Sequence, residues 1–433
     1  RPLDTVQQQL EHVVAYVHEL APAYDEPSAA EYPAMMARHF FQYTVFSERY
    51  LRGYEDEMEE TSVAANSLRP YMQFYRYWLL HDVGEKAVLG KKDWLFYKPG
   101  VDYLVKPYIR DQRAIKVDPN NEPITDNPIA AISKFEKQLN EHGVELLVVI
   151  VPGKPSVYPD MIHEAYDSSD ACTFAHTKKT IAQLREEGVD VVDLYEPIAQ
   201  FRVRKEAEGE TIYLERDTHW KPAAAVHVAD VVADRVRRYP WFTYGDHEYV
   251  TAEVKVDRVG DVGEMTDLPD FTVRNLRMHF PIEEVTCQKV FEVVRTQPDT
   301  ASSGAGTGAM HLSPSFFSKL PVSLVQKLEH KETVTRVMPY RDEYFESRIL
   351  ILGDSFSRIY QTDEPRSAGW IAHFSKEIGA PVASIVNDGG ASTLVRETLS
   401  RKKKLLNGKK LCIWEFVERD LRYGAKGWKD IDL

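Results

Sequence analysis

The sequence predicts an α/β protein: a parallel sheet flanked by helices, preceded by a helical region and interrupted by a partly β insertion. Short, continuous β-branched runs such as 144–151 (VELLVVIV) belong to strands covered on both faces, which are usually parallel. From about residue 127 these runs alternate with helix-period segments, the rhythm of a doubly covered sheet. Gly-, Pro- and Asp-containing turns follow the runs, at the strand ends where open α/β sheets hold their ligands.

With 433 residues, 43% of them hydrophobic, the chain can bury one large core or two moderate ones. A formal net charge of -13 argues against nucleic acid or an anionic membrane as the main partner. No apolar run approaches the ~18 residues needed to cross a bilayer. Cys172, Cys287 and Cys412 are too few and too scattered for a zinc site or a disulfide framework. Cys412 reads as a core thiol, and Cys172 with Cys287 could bridge in an oxidising compartment.

Residues 1–84 form the expected helical N-terminal region, with apolar residues at helical spacing such as Val13, Val14, Val17 and Leu20, then Phe74, Trp78 and Leu79. The aromatics at 71–78 read mainly as helix core. The main domain, 85–433, opens at 90–97 (GKKDWLFY), a turn entering an apolar strand. A helix at 129–141 stops at Gly143 and leads into the strand 144–151. A helix at 177–187 and a strand at 189–195 repeat the unit. A third unit places the strand 211–214 before Arg216-Asp217-Thr218-His219-Trp220, followed by Pro222 and an alanine-rich helix to about residue 237. Residues at about 239–346 break the rhythm and are expected as an insertion. It carries a hairpin of 271–280 with 285–294 and a flexible loop at 301–308. The strand 348–353, a helix to about 379, the strand 380–386, the turn 387–390, a helix at 392–406 and the strand 410–416 then complete the sheet.

Gly353-Asp354-Ser355 at the end of one strand lifts a hydroxyl above the sheet, so Ser355 is the candidate nucleophile. In an extended segment residues i and i+2 point to the same side, which lets Asp217 and His219 share one region. In the resulting triad Ser355 attacks an acyl carbonyl, His219 takes its proton and Asp217 orients the ring. Each motif alone is weak, but on strand ends of one sheet they reinforce each other. Metal binding by Asp217 and His219 is the distinct alternative; with no further His or carboxylate cluster at ligand spacing nearby, no metal is expected. The oxyanion donors expected are the Ser355 N–H and a turn N–H from Gly389 or Gly390, with Asn387 as a side-chain donor. A plain strand-to-helix turn is the other reading of that glycine pair.

These residues resemble the SGNH (GDSL-type) hydrolase superfamily. Their order resembles one branch of it, the alginate O-acetyltransferases of the AlgJ and AlgX type. Ordinary members place the serine early and an Asp-x-x-His pair late, whereas here Asp217-Thr218-His219 precedes Ser355, as in the circularly permuted topology of that branch. Further motifs are similar to that branch in order: Gly90 to Tyr97, Val151-Pro152-Gly153-Lys154, Gly260-Asp261-Val262-Gly263-Glu264-Met265, and Trp414-Glu415-Phe416-Val417-Glu418-Arg419. The likeness runs from residue 85 to 425. A Gly-x-Asn-Asp block is not evident; Asn387-Asp388 stands at the glycine turn instead. With the chain ending soon after its last strand, the expected layout is that of AlgJ, without the C-terminal carbohydrate-binding module of the AlgX type.

The resemblance implies an SGNH-like (flavodoxin-like) fold and O-acetylation of an exported polysaccharide. It implies no cofactor, and an acetyl donor delivered by a membrane-bound O-acyltransferase. A periplasmic or other extracytoplasmic location follows, reached through a signal or anchor preceding Arg1. Lys154, Trp220, Arg358 and Arg419 are the expected substrate-binding residues, with Arg422 nearby. The basic run 401–404 with Lys409 and Lys410 reads as a solvated helix end. The alternatives are an SGNH carbohydrate esterase and a non-catalytic polysaccharide-binding scaffold.

Overall fold

In this computed structural model the described residues are 62–109, 127–266, 280–296, 334–424 and 426–433, with short pieces at 268, 272–273 and 276–277. The chain forms two compact units, Arg1–Met72 and Gln73–Leu433. Helix α1 (Val63–Leu80) carries the division. Within the second unit its end is anchored by buried Phe74 and by Tyr77, whose ring lies 5.2 Å from that of Phe280. Tyr75, Trp78, Leu79 and Leu80 remain exposed, so this aromatic stretch is only partly core. The helices expected before residue 62 and the loop at 301–308 lie outside the described residues.

Strands β1 (Ala87–Leu89) and β2 (Leu95–Tyr97) form a small antiparallel ladder, followed by α2 (Lys98–Val105). Helix α3 (Pro128–Glu141) starts where the Asn127 side chain accepts the Ala130 N–H at 3.3 Å. It feeds β3 (Glu145–Val151). Helix α4 (Ala175–Glu186), β4 (Asp190–Asp193), α5 (Tyr195–Ala207) and α6 (Pro222–Val236) follow. The insertion holds β5 (Glu248–Arg258), β6 (Thr272–Val273), β7 (Leu276–Arg277), β8 (Glu283–Thr296) and β9 (Val334–Pro339). Strand β10 (Ile349–Gly353), α7 (Trp370–Ile378), β11 (Ala383–Val386), α8 (Leu394–Arg401) and β12 (Leu411–Val417) return to the main sheet.

That sheet is five-stranded and parallel, in the order β11-β10-β12-β3-β4. Successive residues of each strand face opposite sides. Leu147, Val149, Ile351 and Ile413 enter a core with α5, α6 and α7, while Val148, Ile150, Leu352 and Trp414 enter a second with α3, α4 and α8. Continuous apolar runs are required because neither face meets water.

Three expectations are corrected. The segment 211–214 is not a strand of the sheet. Arg216, Asp217 and Thr218 fold the chain back, so Tyr213 bridges antiparallel to Trp220, and Leu214 N donates to His219 O at 3.1 Å. In the insertion, β6 pairs only with β7, while β8 pairs with β5 and β9 in a three-stranded antiparallel sheet. The 11-residue β5 offers β8 a long alternating partner. The three cysteines are free and buried, so Cys172 and Cys287 do not bridge.

Candidate active site

The turn that carries Ser355, the candidate nucleophile, is built by two buried strand ends. Asp354 caps the single turn Ser355–Arg358, accepting the Phe356 N–H at 2.7 Å with Oδ1. Its Oδ2 accepts the Val417 N–H at 2.8 Å and so ties the turn to the end of β12. Glu415 Oε2 accepts from Asp354 N at 3.3 Å and from the Ser357 hydroxyl, which also receives the Trp370 indole N–H at 2.9 Å. A Cβ on Gly353 would lie 2.1 Å from Ser357 Oγ, so the strand end must be glycine. Ser355 is thus held at the C-terminal edge of β10 on a turn with little freedom.

The candidate base, His219, sits on the 216–219 turn. Asp217 Oδ1 accepts the backbone N–H of His219 at 3.0 Å and its Nδ1–H at 2.6 Å. The two side chains therefore meet through an Asp turn that hydrogen-bonds two residues on, not through extended alternation. The bond fixes the tautomer and leaves Nε2 to act; that nitrogen is buried and has no hydrogen-bond partner among the described residues. The His219 ring lies 4.8 Å from that of Phe356, the residue after Ser355. Burial opposes charging the imidazole, but the charge and hydrogen bond of Asp217, with Asp261 behind them, outweigh it and raise the His219 pKa. Asp217 is itself buried, yet His219 and Arg258 hold its carboxyl well below the usual range.

Sequence reasoning gave no role to two further groups here. Asp261 Oδ1 accepts the Thr218 N–H at 2.6 Å, and its Oδ2 stands 3.8 Å from His219 Nδ1. Arg258 Nη2 stands 3.6 Å from Asp217 Oδ2. The Gly260-Asp261 motif was the available signal. Donor atoms of Asp217, His219 and Asp261 lie within 4.8 Å of one another. Asp217 Oδ1 and Asp261 Oδ1 are engaged by N–H donors, which fits a hydrogen-bonded relay rather than a cation site.

Other expected site residues divide. The Asn387 N–H donates to Gly353 O at 3.0 Å, bringing the glycine turn beside the nucleophile strand, and Gly389 has φ 61. The Gly390 N–H donates to Asn387 O at 3.0 Å and is engaged within the turn. Arg358 bonds Asp363 at 2.7 Å and Asp388 at 3.3 Å, linking the two turns. The half-buried Arg419 guanidinium stands 5.3 Å from the Tyr97 ring and 6.0 Å from that of Phe356. Arg422 donates to Pro107 O at 2.6 Å.

Lys154 and Trp220 are corrected from substrate contacts to supports. The Lys154 ammonium donates to the carbonyls of Leu95, Glu215 and Asp217 at 2.6, 2.6 and 3.1 Å, which uses its three protons. Burial pushes its pKa down to about 7. Trp220 is fully buried with its ring 4.9 Å from that of Phe356. Residues 401–404 are exposed as expected, but Lys409 is buried and holds the Phe345 and Ser347 carbonyls.

Residues 87–307, just over half of the chain, match the family described as SGNH hydrolase-like domain, acetyltransferase AlgX. The chain belongs to this family. The match contains Asp217, His219 and Asp261, and Ser355 lies beyond it. The probable alginate O-acetylase AlgJ of Pseudomonas aeruginosa is 26% identical over 232 residues, covering 53% of this chain and 52% of that protein. Its counterpart in Pseudomonas putida is 26% identical over 168 residues, 38% of this chain and 37% of that protein. The chain thus spans about half the length, or less, of these curated relatives. The solved O-acetyltransferase domain of Pseudomonas putida AlgJ aligns with a TM-score of 0.50 at 20% identity, over 78% of this chain and 92% of that one. This likeness shows the fold, an SGNH-like parallel sheet between helices.

Proposed function

We propose that the chain is an O-acetyltransferase that moves an acetyl group to a hydroxyl of an exported polysaccharide through an acyl-Ser355 intermediate. The observation that carries this reading is the buried Asp217–His219 pair, whose imidazole ring lies 4.8 Å from that of Phe356, the residue that follows Ser355. Family membership and relatives named as probable alginate O-acetylases support the reaction and the substrate class.

Ser355 Oγ attacks the acetyl carbonyl of the donor while its proton passes to His219 Nε2. The oxyanion that forms is held by the N–H groups of Ser355 and Gly389. Collapse expels the donor's leaving group, which takes the proton from His219 and leaves acetyl-Ser355. A sugar hydroxyl then gives its proton to Nε2 and attacks the acetyl carbon, and Ser355 regains the proton as the acetylated sugar departs. Asp217 stays ionised throughout and stabilises the imidazolium. Arg419 supplies positive charge toward a carboxylated sugar chain against a net charge of -13, whereas Arg358 is already paired with Asp363 and Asp388. The donor is an acyl carrier served by a membrane-bound O-acyltransferase, and the setting is periplasmic.

The test uses wild-type chain and Ser355→Ala with a chromogenic acetyl ester and an alginate oligosaccharide. The wild type yields acetylated sugar, and the variant loses ester cleavage by about 10⁴-fold or more. Free acetate with no acetylated sugar would make the chain an esterase, and an unaffected variant would remove Ser355 from the mechanism.

A further inference from the structure

Two insertion residues reach the catalytic pair, and the backbone is shaped to bring them there. The Gly263 N–H donates to Arg216 O at 3.0 Å, pinning the 260–263 turn onto the turn that carries Asp217. Gly260 has φ 93, and a Cβ on it would stand 2.3 Å from that same carbonyl oxygen. Only glycine permits this approach. It delivers the Asp261 N–H to within 3.4 Å of Asp217 Oδ2, besides the contacts of Asp261 with Thr218 N and His219 Nδ1.

We propose that Asp261 is a positioning residue, a second carboxylate that joins Asp217 in holding His219 and stabilising its protonated form, with Arg258 offsetting the doubled negative charge. This rests on the acyl-transfer reading for its consequence in catalysis, while the electrostatic link itself can be read without turnover. The charged groups facing the pair come from several elements. Asp217 and Asp261 face the Nδ1 edge of His219; Arg419, after β12, acts on the ring with opposite sign. Arg258, at the end of β5, faces Asp217. Lys154 lies under the Asp217 carbonyl, with Glu215 and Glu283 around it. Burial and the Asp217 charge push the Asp261 carboxyl above its ordinary range, and protonated His219 opposes that. Asp261 is therefore most readily ionised when His219 carries the transferred proton, the moment at which its charge is useful.

Asp261→Asn removes the charge and keeps an oxygen to accept from Thr218 N–H. His219 is followed by NMR titration of ¹³C-histidine-labelled protein, its resonance assigned by loss in His219→Gln. In Asp261→Asn the midpoint falls, and the acid limb of kcat/KM for a chromogenic acetyl ester moves to lower pH with it. Arg258→Met moves both upward and serves if the first variant does not fold. A midpoint and acid limb unchanged in Asp261→Asn, even with reduced turnover, would make Asp261 a mere brace and overturn the proposal. A shifted midpoint in a chain whose wild type cleaves no acetyl ester would uphold the link and remove the acyl-transfer reading instead.

Discussion

In the proposed acyl transfer His219 has to be neutral before reaction and stable when charged during it. Its burial favours the neutral ring, and the two aspartates favour the charged one. The aspartates prevail, so His219 takes up its proton at a higher pH than a free imidazole, whose value is about 6.5. Because the reaction starts from neutral Nε2, activity falls as pH drops through that raised value. The acid limb of kcat/KM for acetyl-ester cleavage is therefore expected above about pH 6.5; a limb below it would show that burial, not the carboxylates, governs the ring. The Asp217–His219 contact was legible because the two residue types and their spacing carry chemistry by themselves. Asp261 and Arg258 were not, since their part depends on a turn that folds back about forty residues along the chain onto Arg216.

At the scale of elements, the site depends on how closely β10 passes β12. Gly353 lies against Ser357 and Glu415, where an added Cβ would come 2.1 Å from Ser357 Oγ and 3.0 Å from Glu415 Oε2. Gly353→Ala must displace the Ser355–Arg358 turn or the carboxylate beneath it. The expected cost is about 1–3 kcal/mol in urea unfolding, with slower ester cleavage because the hydroxyl moves with its turn. A variant of wild-type stability and activity would mean that this approach is not required. The central strands β3, β10 and β12 were readable because each is a largely apolar run buried on both faces, while the edge strands β4 and β11 are shorter and only partly buried. The apolar segment 211–214 has the same local character, yet its backbone is satisfied by the returning residues 219–221. Pattern alone cannot separate the two cases, because what differs is the hydrogen-bond partner. The same limit misassigned the partner of β8: alternation marks a strand but does not say which of two neighbours it pairs with.

Across the whole molecule, acid groups collect inside the C-terminal edge of the sheet. Glu418 accepts from Gly153 N at 2.7 Å, from Thr177 Oγ1 at 2.7 Å, and from the hydroxyls of Ser156 and Tyr195, joining β12 to the segments after β3 and β4. Glu415 and Asp420 lie beside Asp354, and burial together with that charge pushes both carboxyls up, Asp420 to about 8. In the unfolded chain an aspartate ionises near 3.9. Between about 3.9 and 8, unfolding therefore releases a proton from Asp420, and stability falls as pH rises. Below that window the neutral carboxyl contributes in full, and above it the contribution is gone. Lys154 has the opposite sign, because its lowered pKa makes the fold less stable when acid charges it. A single pH–stability curve mixes the two, but the difference between variant and wild type cancels Lys154. Asp420→Asn keeps the shape and cannot ionise. Its melting temperature is expected to match the wild type near pH 4, and to exceed it by a margin that grows to about pH 8 and then levels. Parallel curves across that range would show that Asp420 is already ionised in the folded chain, and would place the burden of the buried acids on Glu415 and Glu418.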